Sequence, residues 1–378
     1  MRANIEHTLT KLIAFPSISS DTASCRDVIL FAQQELEGLG LSITTDFESN
    51  HPWLLATTQN TLAPKLLLAA HLDIVPPSTP KQLTAQVMGD KLYGRGAYDM
   101  KFAAACFIEL LKSRHRELAL YDIGILFTTD EEIGGRSVLK LLHAGLEPSV
   151  VILPDSAAPW VIEQRAKGII HAQLTAKGSH GHASRPWENE NAIHKLLPAL
   201  EQLRQTYPSL QPEAPTLSVT IINGGMPSAI NLIPANAEAF IDIRAFDRTE
   251  LKKAKQTLQK VAKEYSLELH VHVDDPSLVL DKTNPYIQTF TDLITKQRGT
   301  ALFADSQGAS DGRHFAGYNI PCIILSPEGK GVHQADEWVS LADLEPFCTL
   351  LESYILQTDL FLANKSKEAH KLDGILHR

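Results

Sequence analysis

The sequence has little cysteine and lacks any long uninterrupted apolar segment. Its 378 residues include four cysteines, which are far apart and never form a Cys-x-x-Cys pair: Cys25, Cys106, Cys322 and Cys348. This spacing argues against a disulfide framework and against a zinc ribbon, and it favours reduced thiols. No stretch has the roughly 20 consecutive apolar residues that a membrane-spanning helix needs. We therefore expect a cytoplasmic protein that does not enter the membrane.

An excess of positive charge is also missing. Lysine and arginine number 35 against 44 aspartate and glutamate, which gives a formal net charge of −9. Without a basic run, such a chain does not fit the class of nucleic-acid-binding proteins. At the start, Ile5, Leu9 and Leu12 recur at helical spacing, with Glu6 and Lys11 between them. This pattern predicts an amphipathic helix instead of a signal peptide.

Short apolar runs alternate with helical patterns in the first part of the chain. The runs at 65–70, 123–127 and 150–153 are continuous, and 102–111 has the spacing of a helix. Continuous apolar strands separated by helices are typical of a parallel sheet that is covered on both faces. The sequence therefore predicts an α/β catalytic domain with a mostly parallel sheet.

A different order of predicted strands and helices begins near residue 166. The segments predict strand 168–176, helix 191–207, strands 217–222 and 237–243, helix 249–265 and strand 267–273. The order β-α-β-β-α-β is the ferredoxin-like split pattern, an α+β unit with two helices on one face of its sheet. From about residue 276 the pattern of the first part of the chain returns. We therefore expect a discontinuous catalytic domain, residues 1–165 and 278–378, and an inserted domain, residues 166–277.

Residues that bind metals follow the predicted strands. His71 and Asp73 come after the first, Glu132 after the second and Asp155 after the third, and Asp99 follows a glycine-rich turn. In open α/β sheets, ligands bind outside the carboxyl ends of the strands. Carboxylates that converge there repel one another unless cations compensate them, and oxygen donors with imidazole suit zinc. The pattern predicts a pair of divalent cations at this edge.

Four motifs carry a resemblance to a known family. They are HLDIVP at 71–76, GRGAYDMK at 94–101, TDEEIG at 129–134 and HQADE at 333–337. In this order the chain resembles the M20 family of zinc metallopeptidases and deacylases. That family includes acetylornithine deacetylase, succinyl-diaminopimelate desuccinylase, carboxypeptidases and dipeptidases. The resemblance implies a hydrolase that cleaves amide bonds.

The resemblance also implies roles for the motif residues. Two zinc ions, with cobalt or manganese possible in their place, would be held by His71 and Asp155, by Glu132 and His333, and jointly by a bridging Asp99. Asp73 would orient an imidazole ligand, as carboxylates do in many zinc sites. Glu131 would be the general base that takes a proton from the attacking water and passes it to the leaving amine.

Three residues of the inserted domain match family positions as well. His182, in the segment 178–186, resembles a catalytic histidine that reaches the active site of a partner subunit. This resemblance implies a homodimer joined through the inserted domain, which would serve for dimerisation and as a lid. Asn231 and Arg244 look like positions that contact substrate, and the planar fork of Arg244 would hold a carboxylate.

The branch of the family stays open. Asp155 stands where deacylases carry glutamate, which favours a peptidase, whereas SDGR at 310–313 resembles the desuccinylases and the motif at 333–337 resembles acetylornithine deacetylases and carboxypeptidases. We therefore expect hydrolysis of an amide bond in a small peptide or N-acyl amino acid. The alternative is a biosynthetic deacylase of the acetylornithine or succinyl-diaminopimelate type.

Two rival hypotheses come from other classes. GASDG at 308–312 fits the G-x-S-x-G elbow of serine hydrolases, but no strong strand precedes it and His370 is the histidine that could serve as base. A metal-binding scaffold of the same fold would need the ligands without a base. Glu131 argues against the scaffold.

Overall fold

The computed structural model describes residues 1–208 and 211–357. The chain divides into two compact units. Within the described residues, the larger comprises Met1–Glu163, Leu280–Ala304 and 310–357, and the smaller comprises Gln164–Val279 and Asp305–Ala309. His370, considered above as a base, lies outside the described residues. In the described ranges, no helix is both long and apolar enough to cross a membrane.

Helices are distributed over both units. In chain order they are α1 (Arg2–Ile13), α2 (Thr22–Leu36), α3 (Phe102–Leu118), α4 (Arg136–His143), α5 (Ala192–Thr206), α6 (Arg248–Glu264), α7 (Pro285–Arg298), α8 (Gly312–Gly317) and α9 (Leu341–Gln357). The predicted amphipathic helix at the start is confirmed, because α1 buries Ile5, Leu9 and Leu12. The predicted helices at 102–111, 191–207 and 249–265 correspond to α3, α5 and α6.

The strands vary from two to ten residues. They are β1 (Ser42–Asp46), β2 (Trp53–Thr57), β3 (Leu66–His71), β4 (Gln86–Met88), β5 (Lys91–Tyr93), β6 (Ile123–Thr128), β7 (Val150–Leu153), β8 (Val161–Ala166), β9 (Gly168–Lys177), β10 (Gly181–His182), β11 (Thr216–Gly224), β12 (Leu232–Ile233), β13 (Asn236–Ala245), β14 (Glu268–Asp275), β15 (Leu278–Val279), β16 (Leu302–Ser306), β17 (Cys322–Ile324), β18 (Gly329–Lys330) and β19 (Trp338–Ser340).

A six-stranded sheet in the order β1-β2-β6-β3-β7-β17 forms the centre of the larger unit. The strands β6, β3, β7 and β17 pair in parallel, and β1 and β2 extend the sheet in antiparallel orientation. Every residue of β3, β6 and β7 is buried, and α3 packs on β3 and β6. The mixed α/β class predicted from the apolar runs is confirmed.

The parallel strands end at the same edge of this sheet. His71 is the last residue of β3 and pairs with Thr128, the last residue of β6, while Leu153 ends β7. The segments that follow, 72–73, 129–132 and 154–155, therefore leave the sheet side by side. This edge brings the predicted metal ligands of three separate segments into one neighbourhood.

The smaller unit contains an antiparallel sheet in the order β11-β13-β9-β14. Its elements follow the chain order β9, α5, β11, β13, α6, β14, which is the split β-α-β arrangement. Alternate residues of β9 and β13 are buried and share one core with the apolar faces of α5 and α6. The opposite face of the sheet is polar, with His171, Asp242 and Arg244 on it.

Candidate metal centre

The first ligand cluster joins three segments of the larger unit. His71, Asp99 and Asp155 each offer a ligand atom, and these atoms lie within 4.8 Å of one another. His71 Nε2 lies 3.1 Å from Asp99 Oδ1. The ring is held from its other nitrogen, because Nδ1 lies 3.0 Å from the backbone oxygen of Asp73. A neutral ring that donates from Nδ1 leaves Nε2 free to act as a ligand.

The second cluster shares Asp99 with the first. Asp99, Glu132 and His333 again place ligand atoms within 4.8 Å of one another. His333 Nε2 lies 3.1 Å from Asp99 Oδ2 and 2.9 Å from Glu132 Oε2. The two carboxylate oxygens of Asp99 thus face different imidazoles. This is the arrangement expected of a residue that bridges two cations.

Asp73 supports the turn that carries Glu131 and Glu132. Its side chain is fully buried and accepts hydrogen bonds from the backbone N–H groups of Glu131, at 3.3 Å, and Glu132, at 3.2 Å. Ser19 donates a third bond of 2.7 Å. Asp73 Oδ1 also lies 3.4 Å from His71 Nδ1. One buried carboxylate therefore connects the imidazole of one cluster to the turn that supplies the other.

Several carboxyl and imidazole groups in this site have pKa values shifted in the direction that favours a bound proton. Burial and the nearby Asp155 raise the pKa of Glu131 to about 8, and burial and Asp99 raise the pKa of Asp155 to about 8. Hydrogen bonds to Asp99 and Glu132 raise the pKa of His333 to about 10. Burial alone would raise the pKa of Asp99, but bonds from His333 and His71 lower it below its ordinary value. The cluster thus lacks compensating positive charge.

Divalent cations fit this site by donor type and by charge. The shared carboxylate, two further carboxylates and two imidazoles are hard-to-borderline donors that zinc, cobalt and manganese accept. Two bound cations would supply the positive charge that the raised pKa values indicate is missing. The residues present therefore fit a dinuclear centre.

Glu131 lies beside the two clusters and belongs to neither. Arg313 Nη1 lies 3.6 Å from Glu131 Oε1, and both side chains are largely buried. The sequence motif at 310–313 indicated a family branch, but its pattern gave no sign that Arg313 would face Glu131. Ser310, the residue of the serine-hydrolase pattern, is also buried, and its hydroxyl accepts a bond from the N–H of Gly312.

Glu337 is a second residue whose role the sequence did not reveal. It is 1% exposed and its carboxylate accepts bonds from the backbone N–H groups of Tyr98 and Asp99. Its position as the last residue of the motif at 333–337 was the available signal. The contact itself joins residues that are 238 apart in sequence, which no local pattern can indicate.

The three candidate catalytic and substrate-binding residues of the smaller unit lie in two places. His182 and Asn231 come together, because β10 pairs with β12 and the Asn231 carbonyl accepts a 2.8 Å bond from the N–H of Ala183. The ring of His182 is exposed, and its Nδ1 lies 3.2 Å from the backbone nitrogen of Ser184 and 2.8 Å from Ser184 Oγ. Arg244 lies on β13 and binds Asp242 through Nε, at 2.9 Å, and Nη2, at 2.9 Å.

The fold and the dinuclear donor set are those of a metal-dependent hydrolase. A model of Peptidase family M20/M25/M40 matches residues 67–357, and the chain belongs to this family. The resemblance carried by the four motifs is therefore confirmed. Members of the family hydrolyse amide and peptide bonds, so the protein is an enzyme rather than a scaffold.

Individual relatives extend over almost the whole chain. A succinyl-diaminopimelate desuccinylase from Delftia acidovorans is 27% identical over 365 residues, which cover 89% of this chain and 93% of the relative. One with the same name from Hahella chejuensis is 28% identical and covers 94% of this chain and 97% of the relative. Among solved structures, a tripeptidase from Staphylococcus aureus superposes with a TM-score of 0.76 at 19% identity, covering 94% of this chain and 98% of that one.

Proposed function

We propose that this protein hydrolyses the amide bond of a small peptide or N-acyl amino acid that carries a free carboxylate. The observation that carries the proposal is the shared Asp99, whose two oxygens face the imidazoles of two separate ligand clusters. A carboxylate outside both clusters, Glu131, lies beside them and supplies the base that hydrolysis needs.

The ligand assignments follow from the clusters. His71, Asp155 and one oxygen of Asp99 would hold one zinc ion, and Glu132, His333 and the other oxygen would hold the second. Bound cations of this kind lower the pKa of water and polarise an amide carbonyl. Cobalt or manganese would serve with the same donors.

Glu131 would move the proton. Two bound cations would lower the raised pKa of Glu131 toward neutral pH, where the carboxylate could both accept and release a proton, as general acid–base catalysis requires. It would take a proton from the attacking water and deliver it to the leaving amine. The positive charge of Arg313, 3.6 Å from Glu131 Oε1, favours the ionised form of this carboxylate and opposes the rise of its pKa.

Substrate binding is assigned to the inserted unit. The guanidinium of Arg244, held in place by Asp242, retains N–H groups for the carboxylate of a substrate. Asn231 would contact the same molecule. His182 would donate to the developing oxyanion, and the resemblance to the family implies that it does so in the site of a partner subunit. We therefore propose a homodimer joined through the inserted unit.

Two substrate classes have specific support. Asp155 in place of glutamate favours a peptidase, whereas the names of the curated relatives favour an N-succinyl amino acid. Metal-loaded protein should be assayed with dipeptides, N-acetylornithine, N-succinyl-diaminopimelate and folyl-glutamate. Loading with zinc, cobalt and manganese in turn would identify the preferred ion. Bound metal without hydrolysis of any of these amides would contradict the proposal.

The role of Glu131 is tested by Glu131→Gln, with the exposed Glu147→Gln as a matched control. The variant should keep its metal while kcat falls about 10²–10⁴-fold, the usual contribution of a positioned general base. The control should match the wild type in both. Turnover by Glu131→Gln equal to that of the wild type would remove Glu131 from the reaction.

The role of His182 is tested in mixed dimers. His182→Ala and Glu131→Gln chains are each expected to be inactive, and a dimer of the two would contain one complete site if the histidine acts across subunits. Partial recovery of activity on mixing would support the shared site. Verified mixed dimers without recovery would count against it.

A further inference from the structure

Glu337 makes an unusually complete set of bonds for a buried carboxylate. Oε2 accepts from Arg95 Nη1 at 2.6 Å and from the N–H of Gly96 at 3.0 Å, and Oε1 accepts from the N–H groups of Tyr98 at 2.9 Å and Asp99 at 3.1 Å. The side chains of Glu337 and Arg95 are 0% and 2% exposed. Every donor belongs to the segment that ends at Asp99.

The register of a small sheet brings these residues together. β19 pairs with β5 so that Trp338 lies opposite Tyr93, and the N–H of Gly94 donates a 3.1 Å bond to the Glu337 carbonyl. The chain therefore enters the 94–99 segment directly beside Glu337. The segment 94–99 lies beyond the end of β5 and is not paired with another strand in the part of the chain that the structure describes. The Glu337 carboxylate binds this segment instead.

Glu337 also ends the segment that carries His333. Gly331 has a φ of +88°, and a Cβ there would lie 2.8 Å from the Glu337 Cα, so the 331–337 loop folds tightly on itself. Gln82 closes it further, donating 3.0 Å to the Gln334 carbonyl and 3.2 Å to the Ala335 carbonyl. One end of this loop bears a ligand imidazole and the other end binds the segment of a ligand carboxylate.

We propose that Glu337, paired with Arg95, is a positioning residue that fixes Asp99 and His333 relative to each other and so sets the affinity for metal. The inference rests on the proposed dinuclear site. Side chains that orient metal ligands through hydrogen bonds change metal affinity about 10–100-fold when they are replaced. A carboxylate that accepts three backbone N–H bonds and one guanidinium bond fixes a loop more firmly than a neutral amide can.

The alternative is that Glu337 stabilises the fold without affecting the metal site. Glu109 provides the comparison, because it is also a buried carboxylate of the larger unit. It is 5% exposed and accepts bonds from Thr8 Oγ1 at 2.7 Å and Lys112 Nζ at 3.1 Å, none of which lead to a predicted ligand. Glu109→Gln therefore removes the same charge from a site with no metal ligands.

The test measures zinc affinity by competition with a chromogenic chelator, together with the melting temperature of the metal-free proteins. Glu337→Gln should bind zinc about 10–100-fold more weakly than the wild type, and added zinc should restore part of its activity. Glu109→Gln should melt earlier but bind zinc as the wild type does. A wild-type zinc affinity in Glu337→Gln would overturn the inference.

Two further outcomes are distinguishable. If the wild type binds no zinc, the proposed metal site itself fails. If Glu337→Gln does not fold, Arg95→Lys replaces it, because lysine keeps the charge but its shorter side chain cannot donate from the position of Arg95 Nη1, 2.6 Å from Glu337 Oε2. Weaker zinc binding in Arg95→Lys supports the inference, and unchanged binding overturns it.

Discussion

Replacing Asp73 with asparagine removes the charge that links the two ligand clusters. The carboxylate accepts bonds from Ser19 and from the N–H groups of Glu131 and Glu132, and it lies 3.4 Å from His71 Nδ1. Asparagine has one acceptor oxygen and one amide nitrogen, so at least one of the backbone donors must face another donor. Since Asp73 is fully buried, bulk solvent does not reach the donor that loses its partner.

The size of the effect follows from these bonds. A hydrogen bond to a charged group contributes about 1.5–3 kcal/mol, and a buried donor without a partner destabilises by about 1–3 kcal/mol. We therefore expect Asp73→Asn to lower the free energy of unfolding by about 2–4 kcal/mol. Because the Glu131–Glu132 turn and His71 both lose their orientation, zinc affinity should fall about 10–100-fold, which is about 1.4–2.8 kcal/mol.

Denaturant unfolding of the metal-free protein measures the first quantity, and chelator competition measures the second. Asp122→Asn is the matched control, because Asp122 precedes β6 at the end of the sheet opposite the ligand clusters. The control should leave zinc affinity unchanged. If Asp73→Asn bound zinc as tightly as Asp122→Asn, the orienting role assigned to Asp73 would be refuted.

Other predictions address charge, recognition and backbone. His333 and Asp155 have pKa values raised to about 10 and about 8, so both hold protons at pH 7 that metal must displace. Zinc affinity should therefore rise with pH between 6 and 8. Calorimetry of zinc binding in several buffers should show the release of about two protons per protein, and the absence of proton release would contradict this prediction. Arg244→Lys should raise KM about tenfold or more at nearly constant kcat, since one charge-assisted bond is lost, and an unchanged KM would exclude substrate contact. Gly135→Ala should lower the free energy of unfolding in urea more than Gly134→Ala does. Both glycines have a positive φ, but of the two only Gly135 would place a Cβ against a carboxylate oxygen, Asp311 Oδ1 at 1.7 Å. Equal destabilisation by the two variants would show that the steric contact adds nothing to the backbone strain.

Local patterns sufficed for most of the fold. Continuous apolar runs marked β3, β6 and β7, because strands buried on both faces have no polar positions. The two antiparallel strands, the edge strand β1 and its neighbour β2, were not predicted. β1 has the sequence SITTD and stays partly exposed along its length, so it lacks the apolar signal of the central strands.

The candidate ligands could be predicted because each follows a strand at the same sheet edge or belongs to a motif. Contacts between distant segments could not. Arg313 faces Glu131 from a position 182 residues away, and Glu337 binds the Asp99 segment only because β5 and β19 are in register. Both contacts depend on the tertiary structure. An arginine at 313 or a glutamate at 337 does not by itself indicate its partner in the sequence.

The most direct test of the account is anomalous diffraction from crystals of the zinc-loaded protein at the zinc edge. If the site is dinuclear, the anomalous map should contain two peaks about 3.5–4 Å apart, the usual separation in two-metal sites. Asp99 should lie between them, with His71 and Asp155 at one peak and Glu132 and His333 at the other. A single peak, or peaks that these five side chains do not contact, would contradict it.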